Sequence, residues 1–302
     1  MNVYDCVIIG GGPAGLNAAL VLGRARRSVV LFDDNRPRNR VTHASHGYLT
    51  RDGTAPGEFR RIAYAEVLRY PSVERRSASV TDARRLDGLF AVTAEGGETV
   101  RSRKLLIAAG LKEELPPIPG LQEVYGKSVF HCPYCDGWEL RDRPLIVVGD
   151  DPRVFHLGKL LYQWSRDLVV CTNGQAVLTD EQKRKFASCG IVVTEQAIAA
   201  FHGSDGRLQQ VEFADGSRIE RTGGFVGPRW QPYVSFRDEL GYLATESGGV
   251  RTDSLGKSSV PGLYAAGEAA TGNPGQLIVA AASGFMAGAG INAELTEETF
   301  AS

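Results

Sequence analysis

Apolar positions along the chain fall into two kinds of run. Short continuous blocks rich in β-branched residues, such as Val3–Ile9, 28–32 and 145–149, have the pattern of strands covered on both faces. After the first block, Leu16, Ala19, Leu20 and Gly23 line one side of a helical pattern closed by Arg24, Arg26 and Arg27. Gly10-Gly11-Gly12-Pro13-Ala14-Gly15 joins that strand to that helix, and the next strand ends on Asp33-Asp34. Strand, glycine turn, helix, strand and terminal acid together predict a βαβ unit of the dinucleotide-binding kind. A second start follows at Leu145-Ile146-Val147-Val148-Gly149, with a helical segment over 153–164 and a strand at Leu168–Cys171. Two such starts predict an α/β chain with two doubly wound Rossmann-like domains. The proline-rich stretch 115–120 reads as a linker, and Gly223-Gly224-Phe225-Val226-Gly227-Pro228 as a second crossover. The uncharged stretch 269–293 is interrupted by Gly272, Asn273, Pro274, Gly275 and Gln276. It is therefore expected to end in a buried Ala/Gly-rich helix rather than a membrane span.

Composition narrows the classes. A chain of 302 residues, 43% hydrophobic and 23% charged, has enough apolar material for about two domains without covalent staples. With 34 basic and 35 acidic residues it lacks the basic excess that phosphate-backbone binding requires, so no nucleic acid is expected. Five cysteines is too few, and odd, for a secreted disulfide scaffold. The N-terminal residues Met1-Asn2-Val3-Tyr4-Asp5 lack a basic n-region and long apolar core, so a cytoplasmic protein without membrane attachment is expected. Glycine is in excess, 36 of 302 or about 12% against a usual ~7%.

Part of that excess has a task. In Gly10-x-Gly12-x-x-Gly15 the first glycine permits a tight turn, the second lets backbone approach a pyrophosphate, and the third lets helix and strand pack closely. The helix N-terminus offers unpaired N–H groups to the phosphates. Asp33, 18 residues beyond Gly15, is near the spacing of a carboxylate that accepts from ribose hydroxyls. The second chemical feature is Cys132-Pro133-Tyr134-Cys135-Asp136. Thiols at i and i+3 on a helical turn are close enough to bond, and Pro133 suits the first helical position, placing Cys132 at the N-terminus, where a thiolate is favoured. A charged His131 would act the same way. Asp136 could exchange a proton as a mixed disulfide resolves. Zinc would need four ligands, and Cys6, Cys171 and Cys189 offer no second close pair, so redox chemistry is favoured over a metal.

These motifs, with Gly262-Leu263-Tyr264-Ala265-Ala266-Gly267-Glu268 and Gln276 later in the chain, resemble the low-molecular-weight thioredoxin reductases and their dithiol-oxidase relatives over nearly the whole length. The resemblance implies an FAD domain split by an inserted CxxC-bearing domain, with parts at 1–114, 115–222 and 223–302, and a homodimer. It implies that Gly10, Gly12, Pro13, Ala14, Gly15 and Asp33 hold the adenosine diphosphate half of FAD. Ala109 and Gly110 resemble a second flavin-contacting turn. Gly267 and Glu268 stand where the family usually has Gly-Asp beside the pyrophosphate and ribityl chain, and Gln276 and Leu277 lie near the isoalloxazine. Cys135 would face the flavin, Cys132 would attack the external disulfide or thiol, and Asp136 matches the family's proton-handling acid.

The second glycine turn departs from the family. Gly149-Asp150-Asp151-Pro152-Arg153-Val154 puts Asp151 where backbone should approach a pyrophosphate, and Asp150 adds another anion. After the next strand, Cys171-Thr172-Asn173-Gly174 lacks the arginines that relatives use for the 2′-phosphate. NADPH is therefore not expected as the electron source. The candidate partners are a small dithiol with dioxygen, ferredoxin with a thioredoxin-like protein, or a second FAD. Trp230, Tyr233, Phe236 and Tyr242 are weighed as stacking faces for that second flavin, against ordinary core or dimer-interface roles, which are favoured, and Arg36 to Arg40 as a ferredoxin contact, against a solvated loop. An NADPH-dependent thioredoxin reductase and a non-enzymatic flavin redox sensor are the alternatives. His43 and His46, in a loop soon after Asp33, are expected to be structural or to touch the flavin.

Overall fold

The computed structural model describes residues 3–301. It divides into two compact units, one of 1–40, 56–112 and 230–302, the other of Val41–Ala55 and Glu113–Arg229.

In the first unit, Val3–Ile9 is flanked by parallel strands Val29–Phe32 and Thr99–Ile107, in register Ile9 to Phe32 and Ile9 to Ile107. Val73–Arg76 extends the sheet beyond Val29–Phe32, and Leu263–Ala265 pairs with the end of Thr99–Ile107. An antiparallel ribbon, Val80–Leu86 with Leu89–Ala94, completes it. The β-branched blocks sit centrally because both faces are covered: Cys6, Val7, Ile8, Val29, Val30 and Leu31 are fully buried. Helix Pro13–Arg24 packs on the C-terminal helix Leu277–Phe300. The 24-residue C-terminal helix is long and apolar enough to cross a membrane by composition alone. Its small-residue face lies against Pro13–Arg24, where a Cβ on Gly284 would come within 2.0 Å of the Ala14 carbonyl oxygen. The break at 272–276 falls just before this helix begins.

The second unit holds a parallel five-stranded sheet in the order Val192–Thr194, Leu168–Cys171, Leu145–Val148, Gly223–Val226, Val129–Phe130. A three-stranded antiparallel meander, 198–220, accompanies it. Two expected boundaries move. Gly223–Val226 is an inner strand of this sheet, and the chain re-enters the first unit at Trp230 rather than at 223. The glycines there serve strand packing: a Cβ on Gly224 would stand 2.6 Å from the Ile146 carbonyl oxygen. The loop Val41–Ala55, expected with the FAD domain, belongs to the CxxC-bearing unit. It is pinned there by Gly126, whose tight turn brings it against Val41.

Candidate active site

Three glycines of the first turn play three distinguishable roles. At Gly10, φ is +111° and a Cβ would meet the Ala108 carbonyl oxygen at 2.4 Å, so the turn is possible only without a side chain. At Gly15 a Cβ would lie 1.9 Å from the Gly10 carbonyl oxygen, which fixes helix against strand. At Gly12 nothing lies within 4 Å of a Cβ. Gly12 is also the N-cap of Pro13–Arg24 and supplies no capping side chain, so the helix N–H groups open onto that space. Open backbone at the N-terminus of a 12-residue helix, without side chain or acid in the first turn, is the cradle a pyrophosphate needs. The residues present fit FAD.

The other cofactor candidates gather around this turn. Ala108 packs on Gly10, and a Cβ on Gly110 would lie 3.5 Å from Glu268 Oε2. Gly267, at φ +65°, approaches Ala14. Glu268 is held by Arg38, which donates to Oε1 at 2.6 Å, and by the Gly275 N–H at 2.9 Å. Gln276 stands at the N-cap position of the C-terminal helix, and Leu277 begins it.

Asp33 ends its strand as expected, but its carboxylate is already engaged. Arg60 and Tyr64 both donate to Oδ2 at 2.5 Å, and the Asn35 N–H to Oδ1 at 3.2 Å. A carboxylate offers about four acceptor sites, so capacity for a ribose hydroxyl remains. Sequence reasoning missed Arg60 and Tyr64; their i, i+4 spacing on helix Pro56–Val67 puts them on one face, the only local signal available. Burial and the Asp33 contact push the Tyr64 hydroxyl well above its ordinary range, so it donates at all ordinary pH.

Two readings left open by the sequence gain detail. Phe236 and Tyr242 are core residues, packed among Val80, Val92 and Leu263, and offer no stacking face for a second flavin. Trp230 lies under the Arg38 guanidinium at 4.9 Å, and Tyr233 donates to Asp34 at 2.6 Å. Arg38 pairs with Glu268 within its own unit.

In the second unit, Cys132 and Cys135 are joined as a disulfide. Cys132 is the N-cap of helix Pro133–Asp136 and Pro133 its first residue, the arrangement the spacing predicts. Gly137 allows the Trp164 ring to close on the turn, and Tyr134 meets that ring edge-on at 5.7 Å. His131 Nδ1 stands 3.1 Å from the Tyr125 hydroxyl, which donates to Glu113 at 2.8 Å. Asp136 is buried. Desolvation and the neighbouring Glu139 carboxylate push its carboxyl up to about 7, against the opposing pull of His46. An acid with that value can give and take a proton at neutral pH. His46, within the CxxC-bearing unit, stands 3.5 Å from Glu139, the structural kind of role left open for it.

At the degenerate turn, Asp151 fills the N-terminus of helix Arg153–Leu161. It accepts the Arg153 N–H at 2.8 Å and binds the Arg153 guanidinium through both oxygens, at 2.5 and 3.0 Å. Those hydrogen bonds hold Asp151 below the usual carboxylate range, so it is an anion at neutral pH. Asp150 lies 3.7 Å from Arg229. Two of the remaining thiols are not poised for chemistry: burial raises Cys6 strongly and Cys171 to about 11, while Cys189 is exposed at the end of helix Asp180–Ser188.

Comparison with known proteins agrees with the motifs. The family model for pyridine nucleotide-disulphide oxidoreductases matches residues 4–284. A solved Bacillus anthracis structure designated TrxB is 43% identical, with TM-score 0.95, covering 98% of this chain and 99% of that one. Thioredoxin reductase tcpT of Claviceps purpurea is 32% identical over 88% of this chain and 87% of its own length. Thioredoxin reductase aclD of Aspergillus oryzae is 30% identical over 97% and 96%. With its glycine cradle, its two Rossmann-like sheets and its CxxC disulfide, the chain belongs to the pyridine nucleotide-disulphide oxidoreductase family, as an FAD-dependent, thioredoxin reductase-like enzyme.

Proposed function

We propose that this enzyme couples thiol–disulfide exchange at Cys132 and Cys135 to FAD without drawing electrons from NADPH. The observation that carries the second half is Asp151. Its carboxylate, tied to the Arg153 N–H and guanidinium, occupies the helix N-terminus at which a dinucleotide pyrophosphate would sit, so a pyrophosphate would have to displace it. FAD, when bound, supplies a two-electron partner for the dithiol. Cys132, at the N-cap, is the thiol that exchanges with the external substrate, and Cys135 resolves the mixed disulfide. Asp136 gives a proton to the departing thiolate and receives one from the resolving thiol. The substrates that fit are a thioredoxin-like protein or a small dithiol, the first supported by the names of the relatives. Dioxygen, ferredoxin or a second flavin remain the classes of opposite electron partner. A homodimer is supported by the apolar outer face of the C-terminal helix, where Val279 and Phe285 are more than half exposed.

Calorimetric titration tests the nucleotide half. NADPH added to oxidised holoenzyme should give no saturable heat at millimolar concentration. Saturable micromolar binding would overturn the proposal. Steady turnover with a dithiol separates an enzyme from a sensor, which would stop after one oxidation.

A further inference from the structure

We propose that His46 is the positioning residue for the proton on Asp136: a loop from a distant part of the sequence brings an imidazole against the carboxylate that neighbours the dithiol's acid. This rests on the reading of Asp136 as the acid of the exchange.

The geometry is specific. Asp136 and Glu139 lie three residues apart in the turn that follows the CxxC, close enough to repel. Opposite them, His46 places Nε2 3.5 Å from Glu139 Oε1 and Nδ1 3.5 Å from Asp52 Oδ1. His46 is therefore held between two carboxylates with Asp136 in range of its charge. The loop is built to hold it there. Ser45 and Thr54 bridge its arms, the Gly47 N–H donates to Asp52 at 2.8 Å, and Gly126 packs on Val41 at its entrance. The charged groups around Asp136 are thus Glu139 on its own turn and His46 with Asp52 behind it, while Asp52 itself is largely in solvent.

The chemistry gives this arrangement a use. Reduced enzyme starts with Cys132 as thiolate, Cys135 as thiol and Asp136 protonated. The Cys132 thiolate attacks an external disulfide, forming one S–S bond and breaking another; the released thiolate takes the Asp136 proton. Asp136 then removes the Cys135 proton, the Cys135 thiolate attacks Cys132, and the second released thiolate takes that proton. Two electrons and one proton leave the dithiol, the second proton comes from Asp136, and Asp136 ends as a carboxylate beside Glu139. A positive charge at position 46 stabilises that end state. The group at position 46 thereby biases how firmly Asp136 holds its proton.

The test is infrared difference titration of oxidised holoenzyme between about pH 5 and pH 9, following the carbonyl band of a protonated carboxyl. The band is assigned to Asp136 by its loss in Asp136→Asn. In His46→Gln the midpoint should rise by about 0.5–1 pH unit, because an opposing charge is gone. In His46→Lys, whose charge does not switch off, it should fall below that of the parent. The order Lys, parent, Gln is a charge signature that a merely structural histidine does not produce. Equal midpoints, or shifts of both variants in one direction, would overturn the role of His46 while leaving Asp136 as the acid. An infrared titration unaffected by Asp136→Asn would instead overturn Asp136 itself, and this inference with it.

Discussion

Gly12 and Gly15 stand three residues apart in one turn, and replacing each by alanine should break different things. At Gly15 the new Cβ would lie 1.9 Å from the Gly10 carbonyl oxygen, where a carbon–oxygen contact needs about 3.3 Å. Helix and strand must separate by roughly the difference, and neither partner is a side chain that can rotate away. Overpacking of a rigid site costs about 3 kcal/mol, the upper end of its usual range. For units of this size that corresponds to a Tm lower by roughly 6–12 °C. At Gly12 the backbone, φ −81° and ψ −178°, suits alanine, and the Cβ meets nothing within 4 Å. Stability of the flavin-free protein should change by less than about 0.5 kcal/mol. The methyl group does, however, enter the space of the pyrophosphate, so FAD affinity should fall at least about tenfold, or ~1.4 kcal/mol. Urea unfolding of flavin-stripped protein and fluorimetric titration with FAD measure the two effects separately. If Gly12→Ala unfolds as easily as Gly15→Ala, or binds FAD like the parent, the assignment of that open space to a phosphate is wrong.

Other expectations follow from the same geometry. Cys132→Ser should abolish exchange with an external disulfide while leaving about one FAD per chain, read by absorbance after gel filtration; loss of flavin would count against its role. Native oxidised protein treated with a thiol reagent should take one label, at Cys189, because Cys6 and Cys171 are buried; mass spectrometry showing rapid labelling of either buried thiol would contradict this. Burial alone would raise the Glu294 carboxyl, but hydrogen bonds from Lys104, Lys257 and Tyr264 overcome it and hold the group down to about 2. A depressed folded-state value means stability present above the unfolded carboxylate pKa and lost as pH falls through the folded one. Glu294→Gln should therefore remove about 1–2 kcal/mol of stability at neutral pH, after allowing for solvent screening, and flatten its decline between about pH 4 and pH 2. Unchanged acid unfolding of that variant would refute the assignment.

How far the sequence reveals this molecule depends on the range of the interaction concerned. The strand-turn-helix at Val3–Arg24, the CxxC at a helix N-terminus and the spoiled turn at Asp151 are all decided within a few residues, and each stands where its pattern predicts. Gly223 and Gly224 mislead because glycine marks both a turn and a strand under close backbone approach, and only Ile146, far away in sequence, distinguishes them. The Arg60–Tyr64–Asp33 cluster and the placement of His46 against Glu139 are also long-range. A polar residue on a helix or in a loop carries no mark of which distant carboxylate it will meet. Asp136 beside the CxxC is legible in the sequence; the histidine that meets its neighbour Glu139 is not.

The central claim is that the dithiol, and not NADPH, exchanges electrons with the flavin. Oxygen-free stopped-flow mixing tests it most directly. Holoenzyme mixed with excess dithiothreitol should lose flavin absorbance in a phase that disappears in Cys132→Ser, whereas NADPH at the same concentration should leave the absorbance unchanged over that time. Rapid bleaching by NADPH, at a rate unaffected by Cys132→Ser, would contradict the account.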